Sequence, residues 1–358
     1  MVSKDFHSLT VAEVVPETEE ARSIRFAVPP ELADLYRFRA GQHLTLRTII
    51  DGDEVRRNYS LCTAPQDGEL MVTVKQITGG AFSNWVAREL KAGDALDVMP
   101  PHGSFTIDFD PARIGRYVGF AGGSGITPIM SLIRTALSTE PNSRFTLFYG
   151  NRDANSIIFL EQLAALKDRY LGRFELFHFL SDEEGDVDLL NGMLDRATCE
   201  EAISAFVPDA QDVDAWFICG PGPMMDAAEA ALVERGVAHD RIHIERFTAG
   251  RPSAALAAEM AQLQQQASGL QMSVTIDGRT RKVAFDGSNI LDSARASGLP
   301  APFACKAGVC ATCRARVTAG EVSMAARYGL TDEEIAAGYV LTCQSVPKGA
   351  GVAVDYDA

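Results

Sequence analysis

Residues 304–317 read ACKAGVCATCRARV, and no other stretch limits the chain so strongly. Three thiols, Cys305, Cys310 and Cys313, fall within nine positions of one another. A loop that carries them must close around whatever they hold, and three arrangements compete: a disulfide knot, a zinc site and an iron-sulfur centre. The cysteines number seven, so a fully paired disulfide framework would lack a partner. The opening MVSKDFHSLTVAEVV has no apolar run behind a basic start, so no signal peptide is expected. No stretch approaches the roughly 18 uninterrupted apolar residues that would span a bilayer. A cytoplasmic location is therefore expected, where thiols stay reduced and close-set cysteines act as metal ligands or redox groups.

The only cysteine after Cys313 is Cys343, which makes the full pattern C-x4-C-x2-C-x29-C. That is the plant-type spacing for a [2Fe-2S] cluster, in which four thiolates hold two irons. The small residues KAGV of the first gap suit a loop that wraps a cluster and aims backbone N–H groups at its sulfurs. Zinc sites pair two C-x2-C units or recruit histidine, and no histidine follows His243. Zinc, and a bare CATC redox dithiol, stay as the alternatives. Cys62 and Cys199 read most simply as small buried apolar groups. From Met272 onward the chain resembles plant-type ferredoxins, including the closing YVLTCQSVP. The resemblance implies a β-grasp-like fold, with Cys305, Cys310, Cys313 and Cys343 as cluster ligands.

A length of 358 residues suits about two or three domains. Formal charge is −15, which argues against a nucleic-acid partner or an anionic membrane surface. Of the 48 acidic and 33 basic residues, nine of each lie from Met272 onward, leaving 39 acids against 24 bases before it. Two segments with such different surfaces suggest modules that meet different partners.

The rhythm of the chain predicts an α/β multidomain protein. Residues 1–112 alternate as short strands, among them SLTVAEVV, SIRFAV, HLTLRTII, NYSLCT and MVTVKQI, with one helical stretch, AFSNWVAREL; this predicts a small antiparallel β-barrel. Residues 113–247 switch to continuous apolar runs (YVGFAG, RFTLFYG, RFELFHFL, AWFICG, RIHIERF) separated by helical stretches, which predicts a doubly wound parallel domain. Residues 248–271, rich in Ala, Gln and Ser, read as a linker, partly helical. Strand patterns resume at SVTIDG and RKVAFDG, giving a third domain over 272–358.

In the first domain, RRNYSLC contains Arg57, Asn58, Tyr59 and Ser60. On an extended strand Arg57 and Tyr59 share a face, so a cation can meet a diphosphate while a ring stacks on a planar cofactor. An exposed edge strand would look similar. The following VKQITGGAFSNWV adds weight, because Gly79, Gly80, Ala81, Phe82 and Ser83 open the single helix and leave free N–H donors for a phosphate. These residues resemble the R-x-Y-S and G-G-x-x-S patterns of the ferredoxin-NADP reductase family. The resemblance implies FAD, with Val74, Lys75 and Gln76 running along the flavin and the Ser60 hydroxyl meeting its reactive ring nitrogen. PPHGSF resembles the family's turn that closes this domain.

The second domain begins GFAGGSGITPIM, a strand running into Gly122, Gly123 and Gly125, then Thr127 and Pro128 at a helix start. A plain loop could carry such glycines, but their place after the first buried strand favours a pyrophosphate at the helix N-terminus. FICGPGPMM sets Cys219, Gly220 and Pro221 at the end of another parallel strand, the edge where such sheets bind ligands. The family resemblance places this cysteine beside the nicotinamide ring; a packed strand cysteine is the plainer reading. It also brings Glu245 and Phe247, from IHIERF, toward the flavin. Arg152, in FYGNRDANS, could bind a 2′-phosphate, and no Asp or Glu ends that strand to favour a free ribose hydroxyl, which leans toward NADPH over NADH. Arg152 could equally be a solvated loop residue.

The order flavin strand, flavin turn, nicotinamide turn, C-G-P and cluster loop is that of the iron-sulfur reductases serving multicomponent oxygenases. The segments FHSLTVAEV, YRFRAGQHLTL, ACKAGVCATC and EIAAGYVLTCQ most resemble those whose partner is a di-iron ring epoxidase. This resemblance implies electrons passing from NAD(P)H through FAD and the cluster to a separate di-iron oxygenase component. A Rieske-type or steroid hydroxylase, or a hybrid-cluster protein, would be served by the same modules. A zinc-bearing adaptor without redox work is the reading from a different class.

Overall fold

The structure is a computed structural model that describes residues 5–248, 250 and 252–358. It divides into two compact units, Met1–Glu245 and Arg246–Ala358.

The first unit begins with six antiparallel strands: β1 (His7–Pro16), β2 (Ala21–Ala27), β3 (His43–Ile50), β4 (Asp53–Ser60), β5 (Leu70–Lys75) and β6 (Ala95–His102), in the order β4-β3-β6-β1-β2-β5. A bridge between Leu61 and Val72 joins the two ends of that order, so the sheet closes on itself as the alternating sequence predicts. Leu9, Ile24, Leu44, Leu46, Val72 and Val98 point inward and are 0% exposed. Helix α1 (Ala81–Arg88) follows β5 and adds Phe82 and Val86 to the same core.

Five parallel strands come next: β7 (Arg116–Gly122), β8 (Arg144–Asn151), β9 (Phe174–Leu180), β10 (Ala215–Cys219) and β11 (Ile242–Glu245), ordered β11-β10-β7-β8-β9. Between them lie α2 (Ile126–Thr139), α3 (Leu160–Arg169), α4 (Arg196–Phe206) and α5 (Gly222–Glu234). Apolar cores line both faces of the sheet, one with Phe145, Leu147 and Phe217, the other with Phe120, Phe148 and Trp216. Such two-sided burial is why these strands read as unbroken apolar runs. The barrel and this sheet are joined by the Ser131 hydroxyl donating to the Thr63 carbonyl at 2.6 Å, by Arg134–Asp67 at 2.9 Å, and by Phe105 set edge-on to Phe217.

In the second unit, α6 (Ala254–Ala267) occupies most of the expected linker and is capped by Ser253, whose hydroxyl accepts from the Leu256 N–H. Met260 and Ala267 of α6 are buried in the core that follows, so the helix belongs to that core. The strands are β12 (Gln271–Ile276), β13 (Arg279–Ala284), β14 (Arg314–Ala319), β15 (Val322–Met324), β16 (Tyr339–Leu341), β17 (Ser345–Pro347) and β18 (Ala353–Asp355). Five of them form a mixed sheet, β13-β12-β18-β14-β16, in which only β12 and β18 run parallel, while β15 pairs with β17. Helices α7 (Ile290–Ala296) and α8 (Asp332–Ala336) complete the unit, and Ile290 and Leu291 of α7 enter the core.

Candidate functional site

Tyr59 and Ser60 end β4, and Ser60 is 2% exposed. Its hydroxyl donates to Glu245 Oε2 at 3.0 Å, although the two residues are 185 positions apart. Glu245 ends β11 and lies in register with Cys219, the last residue of β10. The C-terminal edge of the parallel sheet thus meets the end of a barrel strand, and Ser60, Glu245 and Cys219 come together there. Burial, and then the Glu245 carboxylate, push the Cys219 thiol well above its ordinary range, so it stays neutral. Phe247 falls in the second unit and is 38% exposed.

Arg57 is exposed, and its guanidinium donates back to the Arg56 carbonyl at 2.7 Å. Tyr59 packs against Phe82 with ring centroids 5.5 Å apart, and burial raises its phenol above the ordinary range. Val74 is part of the barrel core, whereas Lys75 and Gln76 are half-buried and lead into the Gly79–Gly80 turn. No side chain caps α1 at Gly80, so the N–H groups of its first turn, at Ala81, Phe82 and Ser83, form a donor set for an anion. The Ser83 hydroxyl braces this turn, accepting from the Ile77 N–H at 3.2 Å. Asn84, which the sequence pattern does not announce, fixes it more firmly: Nδ2 donates to the carbonyls of Ile77 and Gly80, and Oδ1 accepts from Gln76 at 2.6 Å. A hollow of about 630 Å³ opens here, lined by Gln76, Gly79, Gly80, Ala81 and Asn84 among others. The uncapped helix start, the glycine turn, the Tyr59 ring and the exposed Arg57 suit a flavin dinucleotide.

At the end of β7, Gly122 leads into a short turn over Gly123–Gly125 before α2. A Cβ on Gly125 would stand 2.0 Å from the Cys219 carbonyl oxygen, so only glycine lets the turn lie against β10. The Tyr149 hydroxyl, from β8, donates to the Gly123 carbonyl and holds the turn down. Thr127 donates to the Ser124 carbonyl at 3.0 Å. Pro128 is the third residue of α2 rather than its first, because the turn precedes the helix; its missing N–H still falls among the four that a helix start leaves unpaired. Gly220 and Pro221 lead from β10 into α5, with Pro221 at the N-cap. Two glycine turns closing on one sheet edge, beside an uncapped α2, fit a dinucleotide.

Arg152 follows β8, and its guanidinium pairs with Glu20 at 3.0 Å. Glu20 also faces Lys75 at 3.7 Å. Asp153, the nearest acid to that strand end, accepts from the Ser156 N–H and caps a short turn.

In the second unit, residues 305–313 form an irregular loop between α7 and β14. The four thiols stand in two pairs. Cys310 Sγ lies 3.1 Å from Cys305 Sγ, and Cys313 is in hydrogen-bond contact with Cys343. Hydrogen bonds from their partners hold the Cys310 and Cys343 thiols below the ordinary range, while Cys305 and Cys313 are pushed up. Backbone N–H groups of the KAGV segment point at the sulfurs, that of Ala307 meeting Cys305 Sγ at 3.3 Å. A Cβ on Gly329 would stand 2.7 Å from the Cys310 backbone, which shows how tightly the loop is packed. Among the described residues, no three His, Cys, Asp or Glu side chains converge on one ion. Two pairs of thiolates, one per iron, fit a two-iron cluster better than a single zinc ion.

The family described as oxidoreductase FAD-binding domain matches residues 8–107, oxidoreductase NAD-binding domain matches 120–230, and 2Fe-2S iron-sulfur cluster binding domain matches 274–348. The chain is 45% identical to one of the subunits of 1,2-phenylacetyl-CoA epoxidase from Escherichia coli (strain K12), over 99% of this chain and 98% of that one. It is 37% identical to the ferredoxin reductase component of 3-ketosteroid-9-alpha-monooxygenase from Rhodococcus rhodochrous, over 95% and 93% of the two chains. Among solved structures, phthalate dioxygenase reductase is similar in fold, with a TM-score of 0.62 and 24% identity over 98% of each chain.

Proposed function

Because this chain belongs to the family of oxygenase reductase components that join FAD-binding, NAD-binding and 2Fe-2S domains, we propose that it takes electrons from NADPH and delivers them to the di-iron oxygenase of a phenylacetyl-CoA epoxidase system. The chain is an NAD(P)H-dependent oxidoreductase. The observation that carries the finer reading is the 45% identity, sustained over 99% of the chain, to a component of that epoxidase. A steroid monooxygenase is the second partner class, supported by the 37% relative. A cytoplasmic location goes with either.

When bound, FAD accepts a hydride's two electrons and gives them up singly to the cluster, a division that neither a nicotinamide nor a [2Fe-2S] centre performs. The residues would contribute as follows. Arg57 and the open start of α1 hold the flavin diphosphate, and Tyr59 packs along the ring. The Gly122–Gly125 turn and the start of α2 hold the nucleotide's pyrophosphate. Cys219, neutral and 0% exposed, lines the nicotinamide edge without adding charge. Glu245 fixes the Ser60 hydroxyl in one orientation at the flavin edge. Cys305 with Cys310, and Cys313 with Cys343, hold one iron each.

Two features support NADPH over NADH. Arg152 stands at the end of β8, and Asp153, which could otherwise prefer a free ribose hydroxyl, is committed to capping its own turn. The reading is tested by mixing the purified protein with a phenylacetyl-CoA epoxidase oxygenase component and following NADPH oxidation. Oxidation that depends on both phenylacetyl-CoA and oxygenase supports it; oxidation coupled only to a steroid monooxygenase would replace it with the second.

A further inference from the structure

Beneath the glycine turn that follows β7 stands a phenol that no motif announces. Tyr149 lies near the C-terminal end of β8 and is 0% exposed. Its hydroxyl has one hydrogen to give and two carbonyl oxygens within reach, Gly123 at 3.0 Å and Ile158 at 3.4 Å. Burial raises the phenol above its ordinary range, so the hydrogen stays on the oxygen and the group acts as a donor. The two acceptors belong to different pieces of the nucleotide edge. Gly123 is in the turn ahead of α2, and Ile158 lies near the end of the loop that begins at Arg152. Phe159, next after Ile158, is bulky, buried and held in the left-handed region at φ 66°, so this loop too is set by its surroundings rather than by its own preference.

What the phenol does to the turn follows from the planarity of the peptide unit. In a trans peptide the C=O of one residue and the N–H of the next point in opposite directions. With the Gly123 carbonyl drawn to the Tyr149 hydroxyl, the Ser124 N–H points away from β8. Gly123 has φ 51°, a region that glycine enters without steric penalty, so its own backbone does little to stop the Gly123–Ser124 peptide from turning over. Turned over, that peptide would present a carbonyl oxygen where it now presents a donor, and an anion would be repelled. A second bond opposes the flip, since the Ile126 N–H also donates to the Gly123 carbonyl. Chain neighbours aside, the only described atom within 4 Å of a Cβ placed on Gly123 would be Lys75 Nζ, at 3.7 Å. An ammonium thus stands beside the turn whose donor the phenol directs.

We infer that Tyr149 is a positioning residue for nucleotide binding: by holding the Gly123 carbonyl it turns the Ser124 N–H toward the pyrophosphate, of NADPH and NADH alike. This rests on the reading that the Gly122–Gly125 turn takes the nucleotide. Tyr149 is fully buried and touches no ligand itself, so it acts only through the peptide it holds. Its effect is blind to the 2′-phosphate, in contrast to that of Arg152.

The test is calorimetric titration of the FAD-loaded protein with NADP+ and with NAD+, beside steady-state ferricyanide reduction and the amide NMR spectrum. Tyr149→Phe keeps the ring and removes only the hydroxyl. Because the Ile126 N–H still holds the Gly123 carbonyl, the loss should be partial. Kd and KM should rise about fivefold for both nucleotides, the size expected of one neutral hydrogen bond. Neither kcat at saturating nucleotide nor FAD per mole of protein should change. In the unsubstituted protein the Ser124 amide proton should move downfield on addition of either nucleotide, and that movement should shrink in Tyr149→Phe. A lowered thermal midpoint with nucleotide affinity unchanged, an effect on NADP+ alone, or a Ser124 amide that does not respond in the unsubstituted protein would overturn the inference. Unsubstituted protein that binds neither nucleotide would overturn the functional reading, and the inference with it.

Discussion

Arg152 and Glu20 form an ion pair at 3.0 Å that ties the end of β8, where a nucleotide ribose would lie, to the turn between β1 and β2 of the barrel. The guanidinium side chain is 55% exposed, so it can exchange this carboxylate for a 2′-phosphate. Arg152→Ala should raise KM for NADPH about tenfold, corresponding to about 1.4 kcal/mol for one charge-assisted contact, and leave KM for NADH unchanged. Glu20→Gln frees the cation and should lower KM for NADPH. Steady-state kinetics with both nucleotides check the pair; equal effects on the two would remove Arg152 from nucleotide selection.

The two thiol pairs of the cluster loop make a sharper demand on electron flow. Cys310→Ser removes one ligand of one pair, and should cut bound iron and acid-labile sulfide while leaving the flavin in place. Ferricyanide reduction should persist, and reduction of cytochrome c or of the oxygenase should fall to background. Parallel loss of both activities would contradict a serial path.

Asn84 makes three hydrogen bonds that shape the turn ahead of α1. Asn84→Ala removes all three and should cost about 1 to 3 kcal/mol of order in the turn. FAD should dissociate during gel filtration, as it should from Arg57→Ala, where a cation rather than a turn is lost. Flavin absorbance per mole of protein is the measurement. Full retention in Asn84→Ala would leave the turn without a part in FAD binding.

His178 and His243 give the first unit an acid sensitivity of known sign. Burial lowers both imidazoles below the ordinary value of 6.5. Below that pH the unfolded chain binds protons that the folded chain refuses, so stability should fall as pH drops from about 7 toward 5. His178 Nδ1 is buried without a hydrogen-bond partner among the described residues. His178→Leu should therefore flatten the fall in thermal midpoint over this window, whereas an unchanged slope would assign the sensitivity elsewhere.

Much of the architecture was legible because its signals are local. Unbroken apolar runs marked β7 to β11, glycine turns marked both helix starts, and cysteine spacing marked the cluster loop. What the sequence hid depends on distant partners. His43 and His102 meet across 59 positions between neighbouring strands, and nothing in GQHLTL or PPHGSF pairs them. Glu20 sits in an acidic turn whose link to Arg152 exists only once barrel and sheet have packed. Asn84 follows the recognisable G-G-x-x-S by one residue, and its role depends on where α1 turns. The expected linker was misleading in one respect: its Ala- and Gln-rich composition conceals Met260, whose burial against the following sheet makes the segment part of that body.

That attachment decides where the polypeptide can be divided. A fragment begun at Met272, where strand alternation resumes, would leave behind the helix that roofs Met260's socket and lay apolar side chains open to solvent. A carrier intended for use apart from its flavoprotein should keep Ser253 as its first capping residue and take α6 with it.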